Sequence, residues 1–275
     1  SRFTWNSASA AFDPASELIM IQQFDTVRGH DGGGLVFGGD GFLYLSLGDE
    51  GTESANSSPH AQKIDDRARS GVWRMDVDMR GAPFSHPIVN QPAEPPLQQG
   101  EININTIDHS YTQGYFIPND NPWVNAAGAL GEFYAVGLRE PHRMTYDPVA
   151  NRFWIGDVGA GAWEEVNVMD APGLNFQWNY KEGNSAGFRP TPSPLLGTER
   201  APTHAYDHGA GNCIIGGYVY RGTAIPELTG KYIFGDNSTQ LFYSLEYDEQ
   251  TQSAGAIQQI GQGRAGTIWN GIGSF

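Results

Sequence analysis

The stretch LVFGGDGFLYLSLGD, residues 35–49, decides the fold class. It reads as an apolar strand, a Gly-Asp-Gly turn, and a second strand in which Phe42, Tyr44 and Ser46 alternate with Leu43, Leu45 and Leu47. Period-two alternation marks a half-buried strand, and Asp-Gly supplies the positive φ that a tight hairpin needs. The unit recurs. MTYDPVANRFWIGD (144–157) repeats the order of strand, polar turn and aromatic strand closing on Gly-Asp, and GKYIFGD (230–236) runs into QLFYSLEYDEQTQ as a further strand and turn. Small sheets of this kind bury their faces only against one another, so the repetition predicts an all-β β-propeller, with a sandwich as the alternative. Segments 80–125 and 181–204 are rich in Pro and Gly and weakly periodic, and read as long loops crowding one face of the propeller axis.

The bulk composition agrees. The chain has 275 residues, which fit one propeller-sized domain over 1–275, and its 36 Gly and 17 Pro break it too often for long helices. A net charge of −15 repels phosphate backbones and anionic lipid, so nucleic acid is excluded as a partner. Nowhere is there a run of eighteen apolar residues, so no membrane span is expected. The lone Cys213 excludes an internal disulfide and, among apolar neighbours, reads as a buried inert thiol. The chain opens as if already inside a sheet and stops at GTIWNGIGSF without a closing hairpin, which reads as an incomplete ring.

Four places could carry chemistry. His30, before a triple glycine, suits a general base at a strand entrance; the alternative is a turn histidine satisfied by Asp31. Asp49 with Glu50, and Asp157 with Glu164 and Glu165, put carboxylates at strand ends. The loop DVGAGAWEEVN (157–167) adds carbonyls that suit Ca²⁺, against plain turn-capping carboxylates. Arg139 emerges at a strand end, where it could clamp a carboxylate or carbonyl, or pair with Glu140 or Asp147. His204 and His208 have H-x₃-H spacing, but their Pro, Gly and Asn neighbours argue for a loop rather than a metal-binding helix. Asn56 and Asn237 begin glycosylation sequons.

Together, GHDGGGLVFGGDGFLYLSLGDEG (29–51), SGVWRMDVD (70–78), YFIPNDNPW (115–123), FYAVGLREPHRMTYDP (133–148), FWIGDVGAGAWEEVNVM (153–169), GLNFQWNYKEG (173–183) and IIGGYVYRGTAIPELTGKYIFGD (214–236) resemble the soluble glucose/sorbosone dehydrogenases, quinoproteins that oxidise aldose sugars. The resemblance implies a six-bladed propeller of four-stranded antiparallel sheets, with a first blade's worth of sequence and the final strand missing here. It implies pyrroloquinoline quinone (PQQ) and Ca²⁺ as cofactors, a sugar substrate, an electron acceptor such as a cytochrome or quinone, and a periplasmic or secreted location. By position, His30 becomes the base that takes the sugar C1 hydroxyl proton. Arg139 touches quinone and substrate oxygens, the Gly159 and Ala160 carbonyls hold Ca²⁺, Asp49 lines the sugar pocket, and Arg221 supplies cofactor-binding charge. Two departures stand out: Glu140 replaces the usual Asn after Gly-Leu-Arg, and the basic residue expected after Asp236 is absent from NSTQLFYSL (237–245).

Overall fold

The computed structural model describes residues 1–23, 29–51, 60–93 and 110–263. The three repeats each become a sheet. In the first, Gly32–Phe37 pairs antiparallel with Leu43–Leu47, followed outward by Gly71–Met75 and Phe133–Val136. The second runs Pro141–Asp147, Arg152–Asp157, Trp163–Met169 and His204–Asp207, and the third Ile214–Val219, Tyr232–Asp236, Leu241–Asp248 and Ser253–Gln262, both antiparallel throughout.

The sheets stack through their first strands, which run in the same direction. Ser46 Oγ donates to the Pro141 carbonyl at 3.0 Å and Thr145 Oγ1 to the Gly217 carbonyl at 2.7 Å, tying first sheet to second and second to third. Between them lie two apolar layers. Tyr44, Val72, Ala135, Leu138, Met144, Phe153 and Ile155 belong to one, and Trp154, Val166, Val168, Ile214, Tyr232, Phe234 and Leu245 to the other. Trp154 and Tyr232 stack with centroids 4.4 Å apart at 14°. Ile155 is fully buried, and truncating it to Ala removes about 2–5 kcal/mol. This is the successive-blade arrangement of a β-propeller, with three blades among the described residues.

Two expectations need correction. The first sheet is not four-stranded: Leu174–Asn175 and Thr198–Glu199 add to its edge in parallel, giving six strands. The segments read as plain loops also carry strands. Ser85–Pro87 pairs with Phe116–Pro118, and Lys181–Glu182 with Ser185–Ala186. These strands span only two or three residues, too few for periodicity to register. The Asn56 sequon and the closing GTIWNGIGSF run, 266–275, lie outside the described residues.

Because the first strands are parallel to one another, their N-terminal ends gather at one end of the stack. His30, Arg139 and Cys213 immediately precede those ends.

Candidate active site

His30 sits at φ +60, in the left-handed region where a side chain costs energy. The backbone is held there by close contact. The Glu50 N–H donates to the His30 carbonyl at 3.2 Å, and a Cβ on Gly48 would lie 1.7 Å from that carbonyl oxygen, so glycine is required. This conformation turns the imidazole toward Asp49, with Nδ1 2.6 Å from Oδ1. Asp31, the partner suggested by sequence adjacency, is not the one used.

Asp49 lies behind the ring. Its side chain is 1% exposed, against 29% for His30. It also accepts from the Gly51 N–H at 2.8 Å and from the Trp178 indole Nε1–H at 2.8 Å. The Asp49 carboxylate is thus buried and multiply bonded behind the imidazole.

The other imidazole nitrogen faces Arg139, whose NH2 lies 3.0 Å from His30 Nε2. Guanidinium groups only donate, so Nε2 accepts and Nδ1 carries the proton toward Asp49. The same guanidinium donates through NH1 to the carbonyls of Val158 at 2.8 Å and Gly159 at 2.6 Å, and lies over the Trp178 ring at 5.6 Å. Neither Glu140 nor Asp147 is its partner. The Arg139 backbone is anchored by Asp157, which receives the N–H groups of Arg139 and Glu140 at 3.0 and 2.6 Å. Burial and the nearby Glu165 push the Asp157 carboxyl well above its ordinary range.

The turn after Asp157 presents its carbonyls outward because its N–H groups point inward. Glu182 Oε1 accepts from the N–H groups of Ala160, Gly161, Ala162 and Trp163 at 2.8–3.2 Å. Burial works against that carboxylate, but four donors outweigh it and hold the group below its ordinary value. A Cβ at Gly159 would lie 1.5 Å from the Trp163 carbonyl oxygen, so this tight turn also requires glycine. Two adjacent carbonyls engaged by one guanidinium form a site shaped for positive charge. Ca²⁺ takes six to eight oxygens, so this turn supplies a minority of a calcium shell. Among the described residues, no group of three or more His, Cys, Asp or Glu side chains is placed to hold a metal ion.

The structure therefore gathers His30, Asp49, Arg139 and the Gly159–Ala160 turn, and separates Arg221 from them. Arg221 pairs with Asp147, at the opposite end of the Pro141–Asp147 strand from Arg139. Charge so placed does not reach the cluster. Glu140 is turned aside, accepting the Gly32 N–H at 3.2 Å, and burial raises its carboxyl. His204 and His208 do not converge: His204 lies on a strand and stacks on Tyr206, while His208 Nε2 meets Glu164 Oε1 at 2.9 Å. Burial pushes Glu164 up to about 8, and Cys213, half-buried rather than fully buried as expected, up to about 11, which disfavours its thiolate. Trp178 and Glu182 were not legible as site residues, since each acts on partners nineteen or more positions away in sequence, Glu182 through turn N–H groups that carry no motif.

The sequence profile of the Glucose / Sorbosone dehydrogenase family matches residues 104–269. The HIPL1 protein of Arabidopsis thaliana is 30% identical over 221 residues, covering 75% of this chain and 28% of that one. The aldose sugar dehydrogenase YliI of Escherichia coli is 25% identical over 240 residues, covering 85% and 52%. The human Hedgehog-interacting protein is 27% identical over 237 residues, covering 82% and 26%. The chain thus spans about half the length of these relatives or less. Among solved structures, a glucose dehydrogenase superposes with TM-score 0.65 at 20% identity, covering 94% of this chain and 62% of the other. The PQQ-bound aldose sugar dehydrogenase of Streptomyces coelicolor gives 0.52 at 18%, covering 85% and 49%. These likenesses establish the propeller fold.

Proposed function

This chain belongs to the glucose/sorbosone dehydrogenase family, and from that premise we propose that it oxidises aldose sugars at C1 to lactones, using PQQ and Ca²⁺ and passing electrons to a cytochrome or quinone. The observation that carries this is the line of contacts from Asp49 through His30 and Arg139 to the Gly159 carbonyl. When bound, the quinone with its Ca²⁺ supplies the acceptor for the C1 hydrogen and its electron pair, and the Lewis acid that polarises that acceptor.

The chain's own residues do the rest. Asp49 fixes the His30 tautomer so that Nε2 keeps a lone pair facing the site, and that lone pair takes the sugar hydroxyl proton. The imidazolium that forms is stabilised by the carboxylate behind it. Arg139 occupies Nε2 in this structure, so the guanidinium must leave before a proton can arrive. An anionic ligand beside the 158–159 carbonyls would draw it away and at the same time clear Gly159 O for a metal. Gly159 and Ala160 would hold Ca²⁺, with Arg139 facing the quinone oxygens and balancing negative charge there. Glu140 does not oppose this, because its carboxylate is turned to the Gly32 N–H. A periplasmic or secreted location accompanies this activity; no helix among the described residues is long and apolar enough to cross a membrane.

Reconstitution of the full chain with PQQ and Ca²⁺, followed by aldose-dependent dye reduction, tests the proposal. Turnover should fall about 10²–10⁴-fold in His30→Ala with an unchanged melting curve; an unchanged rate rejects the base. A second reading, a propeller that binds a protein or glycan without catalysis, is favoured by the guanidinium capping Nε2 and by the loss of Arg221 from the site. Calorimetric titration with PQQ separates the two, since a binding module of that kind gives no heat with the quinone.

A further inference from the structure

A cavity of about 320 Å³ opens at the other end of the seam between the first and second sheets. It lies between the turn at Gly38–Asp40 and the turn at Asn151. Both turns join the same strand pairs whose opposite ends carry His30, Asp49, Arg139 and Asp157. Strands of this length rise about 3.3 Å per residue, so the two sites are roughly 20 Å apart. The volume is at the lower end for small-molecule pockets, which begin near about 300 Å³.

The lining determines what fits. Tyr44 packs against Phe153 at 4.3 Å and edge-on to Tyr134 at 5.2 Å, and Tyr146 packs on Phe153 at 5.0 Å. The ring faces are largely spent on one another, so no open aromatic cage remains for a quaternary cation. The hydroxyl ends remain. The Tyr44 hydroxyl donates to Asp40 Oδ2 at 2.8 Å and the Tyr146 hydroxyl to Asn151 Oδ1 at 2.6 Å, which leaves both phenolic oxygens able to accept. Asn151 retains amide N–H donors on its other atom, and Asp170 adds a carboxylate.

Charge at the rim is negative on balance. Arg74 lies buried between Asp40 and Asp120, at 2.8 and 2.6 Å, so two carboxylates meet one guanidinium, while Asp170 is matched by Arg200. Phosphate and acidic ligands are repelled. A neutral ligand that both donates and accepts hydrogen bonds around its perimeter is what such a lining recognises.

We propose that this cavity is a saccharide-binding subsite, separate from His30, that takes a neutral hydroxylated sugar unit through the Tyr44, Tyr146 and Asn151 polar groups. It does not rest on the oxidation chemistry, and holds whether or not the chain is a dehydrogenase. The test is binding of D-glucose and maltose to the full chain without quinone, by saturation-transfer NMR for affinity and by amide shift mapping for place. Binding should persist in His30→Ala and weaken at least tenfold in Tyr146→Phe and in Asn151→Gly, with shifts at Gly39 and Asn151. Glycine is the chosen replacement because Asn151 sits at φ +51, so the turn is kept; unchanged melting curves certify both variants as folded. The proposal is overturned if neither sugar binds at tens of millimolar, if binding disappears in His30→Ala and survives in Asn151→Gly, or if choline perturbs these amides and the sugars do not.

Discussion

The first and second sheets carry the same Gly-Asp pair at the end of their second strand region, and put the carboxylate to different uses. In the second sheet Asp157 receives the backbone N–H groups of Arg139 and Glu140, the residues leading into that sheet's own first strand. The third sheet does likewise: Asp236 receives the Cys213 N–H at 2.9 Å, just ahead of Ile214–Val219. In the first sheet Asp49 receives a side chain instead, the His30 imidazole. The difference starts in the backbone. The left-handed turn at His30 and the Gly32-Gly33-Gly34 run carry the chain entrance past Asp49, so a ring fills the place that an N–H occupies in the sister sheets. A position that secures a strand start in two blades is released in one to hold an imidazole.

Making one substitution at both positions breaks the comparison most sharply. Asp49→Asn should lower turnover of the reconstituted protein by about 10²–10⁴-fold, because the amide no longer selects the Nδ1–H tautomer or stabilises imidazolium, and should lower the melting temperature as well, because its N–H₂ faces a donor that the carboxylate accepted. Asp157→Asn should do neither. Burial raises the Asp157 carboxyl, and an amide removes the charge that burial penalises while its oxygen, placed at Oδ1, still accepts both N–H groups. The sign follows. A raised carboxyl costs the wild type stability as pH climbs from the ordinary carboxylate value toward the folded one. Asp157→Asn should therefore match wild type at acid pH and melt higher at pH 8, with turnover within a few-fold. Equal turnover losses in the two variants would show that both carboxylates serve the imidazole.

Glu182 provides the opposite pH sign on the neighbouring turn. Its carboxyl is held below the ordinary value, so its stabilisation is present above about pH 4.5 and fades as pH falls through the lower folded value. Glu182→Gln should cost about 1.5–3 kcal/mol at pH 7, the scale of charge-assisted hydrogen bonding. Its acid melting curve should be shallower than that of the wild type, as followed by circular dichroism between pH 3 and 7. An identical acid slope would mean that the turn is held by something other than this charge.

The blades were legible because each hairpin announces itself locally: alternating Leu43–Leu47 against Phe42, Tyr44 and Ser46 needs nothing beyond its own neighbours. His30 and Arg139 were legible as residue types beside glycine-rich entrances and strand ends. Their partners were not. Asp31 is adjacent to His30 in sequence, yet the structure reaches nineteen positions on to Asp49, because stacking of strand ends rather than chain proximity decides what meets an imidazole. Arg221 shows the converse. Its charge was readable, but the register of Ile214–Val219 against Pro141–Asp147 carries it to the far end of the blade and onto Asp147. The two parallel additions to the first sheet escaped for a further reason, since a two-residue strand has no period to read.

The smallest effect concerns Trp178, which connects the two halves of the site. Its indole N–H donates to Asp49 while Arg139 lies over its ring, so it touches both the base's orienting carboxylate and the cation opposite. Trp178→Phe keeps a ring under the guanidinium and removes only the donor to Asp49 Oδ2. Asp49 retains the Gly51 N–H and the imidazole, so the loss should be that of one hydrogen bond to a charged acceptor, about 1.5–3 kcal/mol at most, and less wherever water enters. If the indole only supports packing, melting shifts and the pH profile of turnover does not. If it tunes Asp49, removing a donor makes the carboxylate a stronger partner for imidazolium, and the acid limb of the turnover profile, where the base becomes protonated, moves to higher pH. A profile displaced upward in Trp178→Phe and abolished in Asp49→Asn would place the indole in the same chain of contacts, whereas a fixed profile would leave Asp49 and His30 acting without it.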